Sequence, residues 1–246
     1  MKIIKIVSTL LLSIALCLSF VGCAGNNNSD NNNSGNDSPD SGNQGNSSVE
    51  IVNKDLTFDF ETKTVTLNNG IKMPILGIGT YTLSNSQAEN SVYWALRDGY
   101  RLIDTARIYG NEEGVGRGIR RAISEGLVTR EEVFVTTKMW TADFNNGDAA
   151  INASLQRLGL DYIDLMILHH SQPSNDVNAY KAMERAVQSG KLRSIGLSNY
   201  YEPSDFDRLV NATSIKPALL QNETHPHYQG QTMKKHIAQY GTVLES

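Results

Sequence analysis

Four side chains in this sequence have the chemical types needed for proton transfer to a carbonyl group without a metal. They are Asp104, Tyr109, Lys138 and His169. A carbonyl that accepts a hydride needs a proton donor on its oxygen, and a tyrosine hydroxyl can serve. The pKa of a free tyrosine is about 10, so a lysine cation beside it would help by favouring the phenolate. A carboxylate would keep that lysine charged near an apolar pocket, and a histidine would orient the carbonyl or assist the transfer.

The elements that must position these groups alternate between strand and helix. A hairpin comes first, in which the turn Asn68-Asn69-Gly70 joins residues 64–67 to residues 71–73. The predicted strands that follow are residues 75–81, 101–106, 133–139, 163–169, 194–199, 218–223 and 242–245. The predicted helices are residues 86–98, 112–125, 148–158, 176–189, 203–211 and 232–240. This order predicts an α/β fold with a parallel sheet covered by helices.

Polar residues at the ends of the strands favour a barrel over an open sheet. The carboxyl ends of six successive strands carry Thr80, Asp104, Lys138, His169, Ser198 with Asn199, and Gln221 with Glu223. An active site at the mouth of a (β/α)8 barrel needs this arrangement, whereas an open sheet would place such groups only at its switch point. No Gly-x-Gly-x-x-Gly motif joins the first strand to a helix, and Gly114 and Gly116 lie inside a helical run.

Composition excludes several classes of function. The 246 residues carry a net charge of −4, so no basic surface indicates a nucleic-acid partner. Both cysteines, Cys17 and Cys23, lie in the first 23 residues, which excludes a disulfide framework, a thiolate metal site and a cysteine nucleophile from the remainder. His169 and His170 are adjacent on a predicted strand and would point to opposite faces, so we expect no metal site there.

The first 49 residues are predicted to be an export signal and a tether. Lys2 and Lys5 precede an apolar stretch over residues 6–21, which is typical of a signal peptide over residues 1–22. The end of this stretch resembles a bacterial lipoprotein box, which implies that Cys23 is lipidated and holds an exported protein on the cell membrane. A plain cleaved signal and an uncleaved anchor are the alternatives. Residues 24–49 are rich in Asn, Ser and Gly, so we expect residues 23–49 to form a disordered, lipid-attached tether before a domain over residues 50–246.

Five short motifs in this domain together resemble the aldo-keto reductase family. The motifs are Ile103-Asp104-Thr105-Ala106, Tyr109-Gly110-Asn111-Glu112, Thr137-Lys138-Met139-Trp140, residues 164–169 and Gly196-Leu197-Ser198-Asn199. The resemblance implies a (β/α)8 TIM barrel that reduces aldehydes and ketones with NADPH, with NADH as the alternative. It also implies a monomer that takes small carbonyl substrates.

The resemblance assigns roles residue by residue. Tyr109 would be the general acid, Asp104 and Lys138 would tune it, and His169 would orient the substrate. Residues matching the family's cofactor contacts are Gly79, Thr80, Tyr81, Asp104, Ser198, Asn199 and Gln221. Residues matching the substrate pocket are Tyr81, Trp140, His169 and His170.

Two departures from the family pattern affect the expected function. His170 stands where the family often has tryptophan, which would make that wall of the pocket more polar. The sequence ends at residues 242–246, inside what we predict to be the seventh strand. We therefore expect a C-terminally truncated, incomplete barrel that binds its cofactor weakly. The alternative function is a catalytically silent, lipid-anchored surface module that uses the barrel for binding.

Overall fold

The computed structural model describes residues 57–246, so the predicted signal, Cys23 and the tether lie outside the described residues. A small antiparallel sheet comes first, with strands β1 (Thr57–Asp59), β2 (Thr64–Thr66) and β3 (Lys72–Pro74) in the order β1-β2-β3. The predicted hairpin of β2 and β3 is confirmed. Strand β1 was not predicted, because three residues are too few to show an alternating pattern.

Within residues 57–246, the main sheet contains seven parallel strands. They are β4 (Gly77–Gly79), β5 (Leu102–Asp104), β6 (Phe134–Met139), β7 (Ile163–Leu168), β8 (Leu192–Ser198), β9 (Leu219–Gln221) and β10 (Val243–Glu245). Their order in the sheet is the reverse of their order in the chain, β10-β9-β8-β7-β6-β5-β4. Each strand therefore lies beside the next one along the chain, which is the progression of a (β/α)8 barrel and not of a doubly wound sheet. Over residues 57–246, β4 and β10 are the two edges of this sheet.

The main sheet is strongly curled. Strands β5 and β9 lie four places apart in the sheet, which would separate them by about 19 Å if the sheet were flat. Nevertheless, Gln221 Nε2 at the end of β9 lies 3.1 Å from Asp104 Oδ2 at the end of β5. Side chains alone cannot span the flat distance, so the sheet bends round until these two strand ends face each other across its concave side.

In the described part of the chain, six α-helices cover the outer face of the sheet. They are α1 (Asn85–Arg97), α2 (Glu112–Ser124), α3 (Gly147–Leu158), α4 (Asp176–Gln188), α5 (Pro203–Asn211) and α6 (Gln231–Ala238). Each predicted helix is present. Local signals explain several ends: Ser84 and Gln87 form a capping box before α1, and Gly159 ends α3 with φ +63°. In the described part of the chain, no helix has the length and apolar character needed to cross a membrane.

Alternating residues of the strands build two separate cores. In β7, Met166 and Leu168 pack with the helices, whereas Leu165 and Ile167 pack inside the curl. The inner core also contains Leu102, Phe134, Leu219 and Val243 from the other strands, together with Val65, Leu67 and Met73 of the hairpin. Both faces of the strands are thus apolar, which explains their unbroken hydrophobic runs.

The hairpin turn docks against the amino-terminal side of the main sheet. Asn68 is buried, and its Nδ2 donates to the backbone oxygens of Pro217 at 3.0 Å and Tyr240 at 3.2 Å. Asn69 Nδ2 donates to Ser194 Oγ at 3.0 Å. The hairpin therefore covers the amino ends of β8 and β9, and the carboxyl ends are left to form the functional face.

Candidate active site

Strand register places the polar residues at the carboxyl ends of the strands on the concave side of the sheet. Leu102, Leu219 and Val243 belong to the inner core, and the residues two positions later are Asp104, Gln221 and Glu245. Because side chains alternate along a strand, residues two apart share a face. At the carboxyl ends of the strands, the inner core is therefore followed by a layer of polar side chains. These groups border a cavity of about 690 Å³ lined by Asp104, Tyr109, His169, Ser198, Gln221 and Glu245, among others.

Lys138 is the buried centre of the predicted catalytic group. Its side chain is 1% exposed, and Nζ lies 2.5 Å from Asp104 Oδ1. The same nitrogen donates to Thr105 O at 3.0 Å and lies 3.4 Å from the Tyr109 hydroxyl. The three hydrogens of the ammonium therefore have three partners, which offsets the cost of burying the charge.

Tyr109 comes from a short 3-10 turn, Arg107–Tyr109, that directly follows β5. The turn brings its ring over to Lys138, whose Nζ lies 5.1 Å from the ring centroid. The ring also packs against Tyr81 at 5.0 Å and edge-on to His169 at 5.8 Å between centroids. The structure thus brings Asp104, Tyr109, Lys138 and His169 together at one cavity wall.

His169 is almost fully buried, and its Nδ1 has no hydrogen-bond partner among the described residues. Burial, the Lys138 charge and the neighbouring His170 lower the pKa of His169 to about 4. Burial also lowers the pKa of His170. The His169 imidazole is therefore neutral near pH 7 and can serve as a hydrogen-bonding group without adding positive charge.

The expectation that His169 and His170 point to opposite faces is wrong. Their rings stack in parallel, with centroids 5.2 Å apart and an interplanar angle of 5°. Strand β7 ends at Leu168, so the alternation of a strand does not extend to these two residues. Trp140 packs edge-on against both, at 5.2 Å from His169 and 5.5 Å from His170. Within residues 57–246, no cluster of three potential ligands suited to a metal ion is present.

Thr80 is fully buried, and its hydroxyl is engaged within the protein. It donates to Asp104 O at 3.1 Å, and it lies 3.4 Å from Asn111 Oδ1. Asn111 is a buried hub that donates to the backbone oxygens of Thr80 and Leu83 and accepts from Thr105 Oγ1. These contacts hold the ends of β4 and β5 together beside the cavity. Asn111 belongs to a quoted sequence motif, but we did not predict this positioning role from the sequence.

Ser198, Asn199 and Gln221 lie at the ends of β8 and β9 and line the cavity. Asn199 has a left-handed backbone with φ +57°. Its Nδ2 donates to His169 O at 2.8 Å and to Ser198 Oγ at 3.1 Å. Gly79 ends β4 and also lines the cavity, with open space where a Cβ would be. The sequence-predicted groups of these strands therefore share one face.

Glu245 is a site residue that was not predicted from the sequence. It ends β10 in register with Gln221, and its Oε2 accepts from Gln221 Nε2 at 2.8 Å. Burial and the nearby Asp104 carboxylate raise the pKa of Glu245 to about 7. A signal was present, because Glu245 is a polar residue at the carboxyl end of the last predicted strand. Glu223, predicted at the end of the preceding strand, lies beyond β9 and also lines the cavity, with its carboxylate 3.2 Å from His225.

Comparison with known proteins settles the family. The model of the Aldo/keto reductase family matches residues 75–244, which include all seven strands of the main sheet except Glu245, the last residue of β10. The chain belongs to this family. Four of the five aldo-keto reductase motifs contribute residues to the cavity lining, namely Asp104, Tyr109, His169 and Ser198 with Asn199.

Relatives of this aldo-keto reductase include enzymes with carbonyl substrates in their names. The NAD(P)H-dependent D-xylose reductase I,II of Candida tropicalis is 37% identical over 209 residues, covering 74% of this chain and 64% of that protein. The glyoxal reductase of Bacillus subtilis (strain 168) is 39% identical over 186 residues, covering 74% of this chain and 66% of that protein. The chain thus spans about two thirds or less of the length of these relatives.

A solved structure agrees with the fold of this aldo-keto reductase. The Bombyx mori aldo-keto reductase in complex with NADP is 37% identical and superposes with a TM-score of 0.69. The match covers 74% of this chain and 65% of the silkworm protein. The predicted barrel topology is confirmed to the extent of the seven parallel strands.

Proposed function

We propose that this aldo-keto reductase reduces small aldehydes and ketones to alcohols with a hydride from NADPH, with NADH as the alternative donor. One observation carries the proposal: the Lys138 ammonium contacts both the Asp104 carboxylate and the Tyr109 hydroxyl at the wall of the cavity. A binding module would have no need to bury a lysine beside a tyrosine hydroxyl. The names of the xylose and glyoxal reductases support the same class of reaction.

The residues at the ends of β8 and β9 suit a nicotinamide group. A carboxamide carries one acceptor and two donors, so it needs partners of both kinds. Ser198 has a hydroxyl, and Asn199 and Gln221 have amides, all on the cavity wall. When bound, NADPH would supply the hydride for the carbonyl carbon. We propose that Gly79, Thr80, Tyr81 and Asp104 border its position on the side of β4 and β5.

The proton would come from the protein. Tyr109 would donate its hydroxyl proton to the carbonyl oxygen, and Lys138 would stabilise the phenolate that remains. Asp104 would keep Lys138 charged and fixed through the 2.5 Å contact. Neutral His169, which lines the cavity, would orient the carbonyl. Tyr81, Trp140 and His170 would form the aromatic wall of the substrate pocket.

The test is NADPH consumption, followed by absorbance, with glyoxal or another small aldehyde. We expect turnover by the wild-type protein and a loss of about 10²–10⁴-fold in kcat for Tyr109→Phe, which removes only the hydroxyl. Tyr100→Phe is the matched control, because Tyr100 is an exposed tyrosine that does not line the catalytic cavity. Turnover retained in Tyr109→Phe would refute the proton-donor role. Nucleotide binding without any turnover would favour the binding module.

We also propose that the protein is exported and held on the bacterial cell membrane by lipid on Cys23, and that it is a monomer. Support comes from the two lysines and the apolar stretch before Cys23, followed by a tether poor in apolar residues. Loss of the signal would leave a net charge of −6, so anionic lipid would not attract the domain and the acyl chains would have to provide attachment. Size-exclusion chromatography with light scattering tests the oligomeric state.

A further inference from the structure

Glu245 lines the cavity from β10 and contacts Gln221, which in turn contacts Asp104. Its Oε2 accepts from Gln221 Nε2 at 2.8 Å, and the same nitrogen donates to Asp104 Oδ2 at 3.1 Å. The side-chain nitrogen of Gln221 thus lies between two carboxylates that come from opposite sides of the curl. Backbone pairing supports this position, because Glu245 and Gln221 are partners in the parallel ladder.

These two contacts fix the orientation of the Gln221 amide. An amide nitrogen has two hydrogens, and here each hydrogen has a carboxylate acceptor. If the amide turned over, its oxygen would face the Asp104 carboxylate, which pairs with the Lys138 ammonium and offers it no donor. It would also face Glu245, which offers a donor only when protonated and therefore none above its pKa of about 7. The energetic difference therefore favours one orientation, in which the side-chain oxygen of Gln221 is the polar atom left to meet a ligand.

We propose that Glu245 is a positioning residue that, with Asp104, holds Gln221 as a hydrogen-bond acceptor, so that the cavity selects ligands with an N–H or O–H donor at this point. The inference rests on the proposed function, in which the ligand at this wall is a nicotinamide nucleotide. The amide hydrogens of its carboxamide supply the donor. A nucleotide with the same shape but no donor at this point loses one hydrogen bond and leaves the Gln221 oxygen without a partner.

The experiment compares NADP⁺ with its 3-acetylpyridine analogue, in which a methyl ketone replaces the carboxamide. Dissociation constants are measured by quenching of protein fluorescence for the wild-type protein, Glu245→Ala and Glu245→Gln. We expect the wild-type protein to prefer NADP⁺ by about 5- to 10-fold, the value of one hydrogen bond. In Glu245→Ala the Gln221 amide can turn more freely, and the preference should fall to about 2-fold or less.

Glu245→Gln should restore the nucleotide preference that Glu245→Ala loses. Its side-chain oxygen accepts the same hydrogen bond without a charge, so the preference for NADP⁺ should stay within about twofold of the wild-type value. Glu113→Gln is the matched control, since Glu113 is exposed in the first turn of α2. A merely structural role for Glu245 would weaken binding of both nucleotides equally and leave their ratio unchanged. An unchanged ratio in Glu245→Ala, or a lost ratio in Glu245→Gln, would overturn the inference.

A measurement without nucleotide separates failure of this inference from failure of the proposed function. If neither nucleotide binds the wild-type protein even at the high concentrations that the expected weak affinity requires, the proposed function is wrong. The side-chain amide signals of Gln221 in a ¹H–¹⁵N spectrum then decide the inference. Both amide hydrogens should be shifted downfield by their carboxylate acceptors in the wild-type protein. One should lose that shift in Glu245→Ala and keep most of it in Glu245→Gln. Identical Gln221 signals in all three proteins would contradict the role of Glu245.

Discussion

Lys138 and Asp104 form an ion pair at the carboxyl ends of two neighbouring strands, with Nζ and Oδ1 2.5 Å apart. The ladder explains how they meet. Asp104 at the end of β5 pairs with Thr136 on β6, and Lys138 is two residues further along the same face. The backbone of Lys138 therefore lies beyond the end of β5, and its side chain extends back to the Asp104 carboxylate. Tyr109 follows on the next turn and meets the same ammonium.

This geometry predicts the effect of Lys138→Met. The substitution keeps the approximate length of the side chain but removes the cation next to the Tyr109 hydroxyl. We expect kcat for aldehyde reduction to fall by about 100-fold or more, because the phenolate formed on proton transfer loses its stabilising charge. Steady-state kinetics measure the change, with circular dichroism to establish that the variant is folded. Lys191→Met is the control, since Lys191 is exposed and bonds Asn152. A kcat within about threefold of wild type would contradict the assigned role of Lys138.

The lowered pKa of His169 predicts a pH dependence of stability. In the unfolded chain a histidine titrates near 6.5, whereas the pKa of His169 in the folded protein is about 4. Between these values the unfolded state binds more protons, so the free energy of unfolding decreases as the pH falls from about 6.5 to 4. The contribution of His169 is about 2–3 kcal/mol across this window.

Urea unfolding of wild type and His169→Gln at pH 7 and at pH 4.5 isolates this contribution, because the other titrating groups are common to both proteins. The wild-type protein should lose more stability between the two pH values than the variant does. Equal losses would show that His169 takes up its proton as readily in the folded protein as in the unfolded chain.

The close packing around Gly116 predicts a strong effect of Gly116→Ala. A Cβ at this position would collide with the backbone oxygen of Leu158 at the end of α3. Because a backbone carbonyl cannot move without shifting its helix, we expect a destabilisation of about 1–3 kcal/mol despite the higher helix propensity of alanine. Urea unfolding measures it, with Glu113→Ala at an exposed position of the same helix as the control. A stabilised Gly116→Ala variant would contradict this packing.

The lipoprotein hypothesis predicts the outcome of Cys23→Ser. The serine hydroxyl cannot form the thioether that carries the lipid, so the variant should lose labelling by a radioactive fatty acid and leave the membrane fraction of a bacterial host. Cys17→Ser, inside the predicted apolar stretch, should keep both properties. Membrane attachment of Cys23→Ser without lipid would favour the uncleaved anchor, and release of the wild-type protein would favour a plain cleaved signal.

Local sequence patterns determined the order of elements and the main catalytic candidates. Short apolar runs separated by amphipathic runs predicted the strands of the main sheet, because a strand such as β7 buries each of its faces in a different core. The family motifs predicted Asp104, Tyr109, Lys138 and His169, and the structure brings all four to one wall. Strand β1 was missed because its three residues depend on pairing with β2 rather than on a pattern of their own.

The tertiary structure decided the contacts between residues far apart in the chain. Glu245 meets Gln221 because β10 and β9 are neighbours in the sheet, and Gln221 meets Asp104 only because the sheet curls until β5 faces β9. The parallel stacking of His169 and His170 depends on where β7 ends, which an apolar run extending to its last residue does not reveal. Periodicity in a sequence records which face of an element is buried. Curvature of the sheet depends on the packing of all its strands at once, so the partners that meet across the curl emerge only in the folded chain.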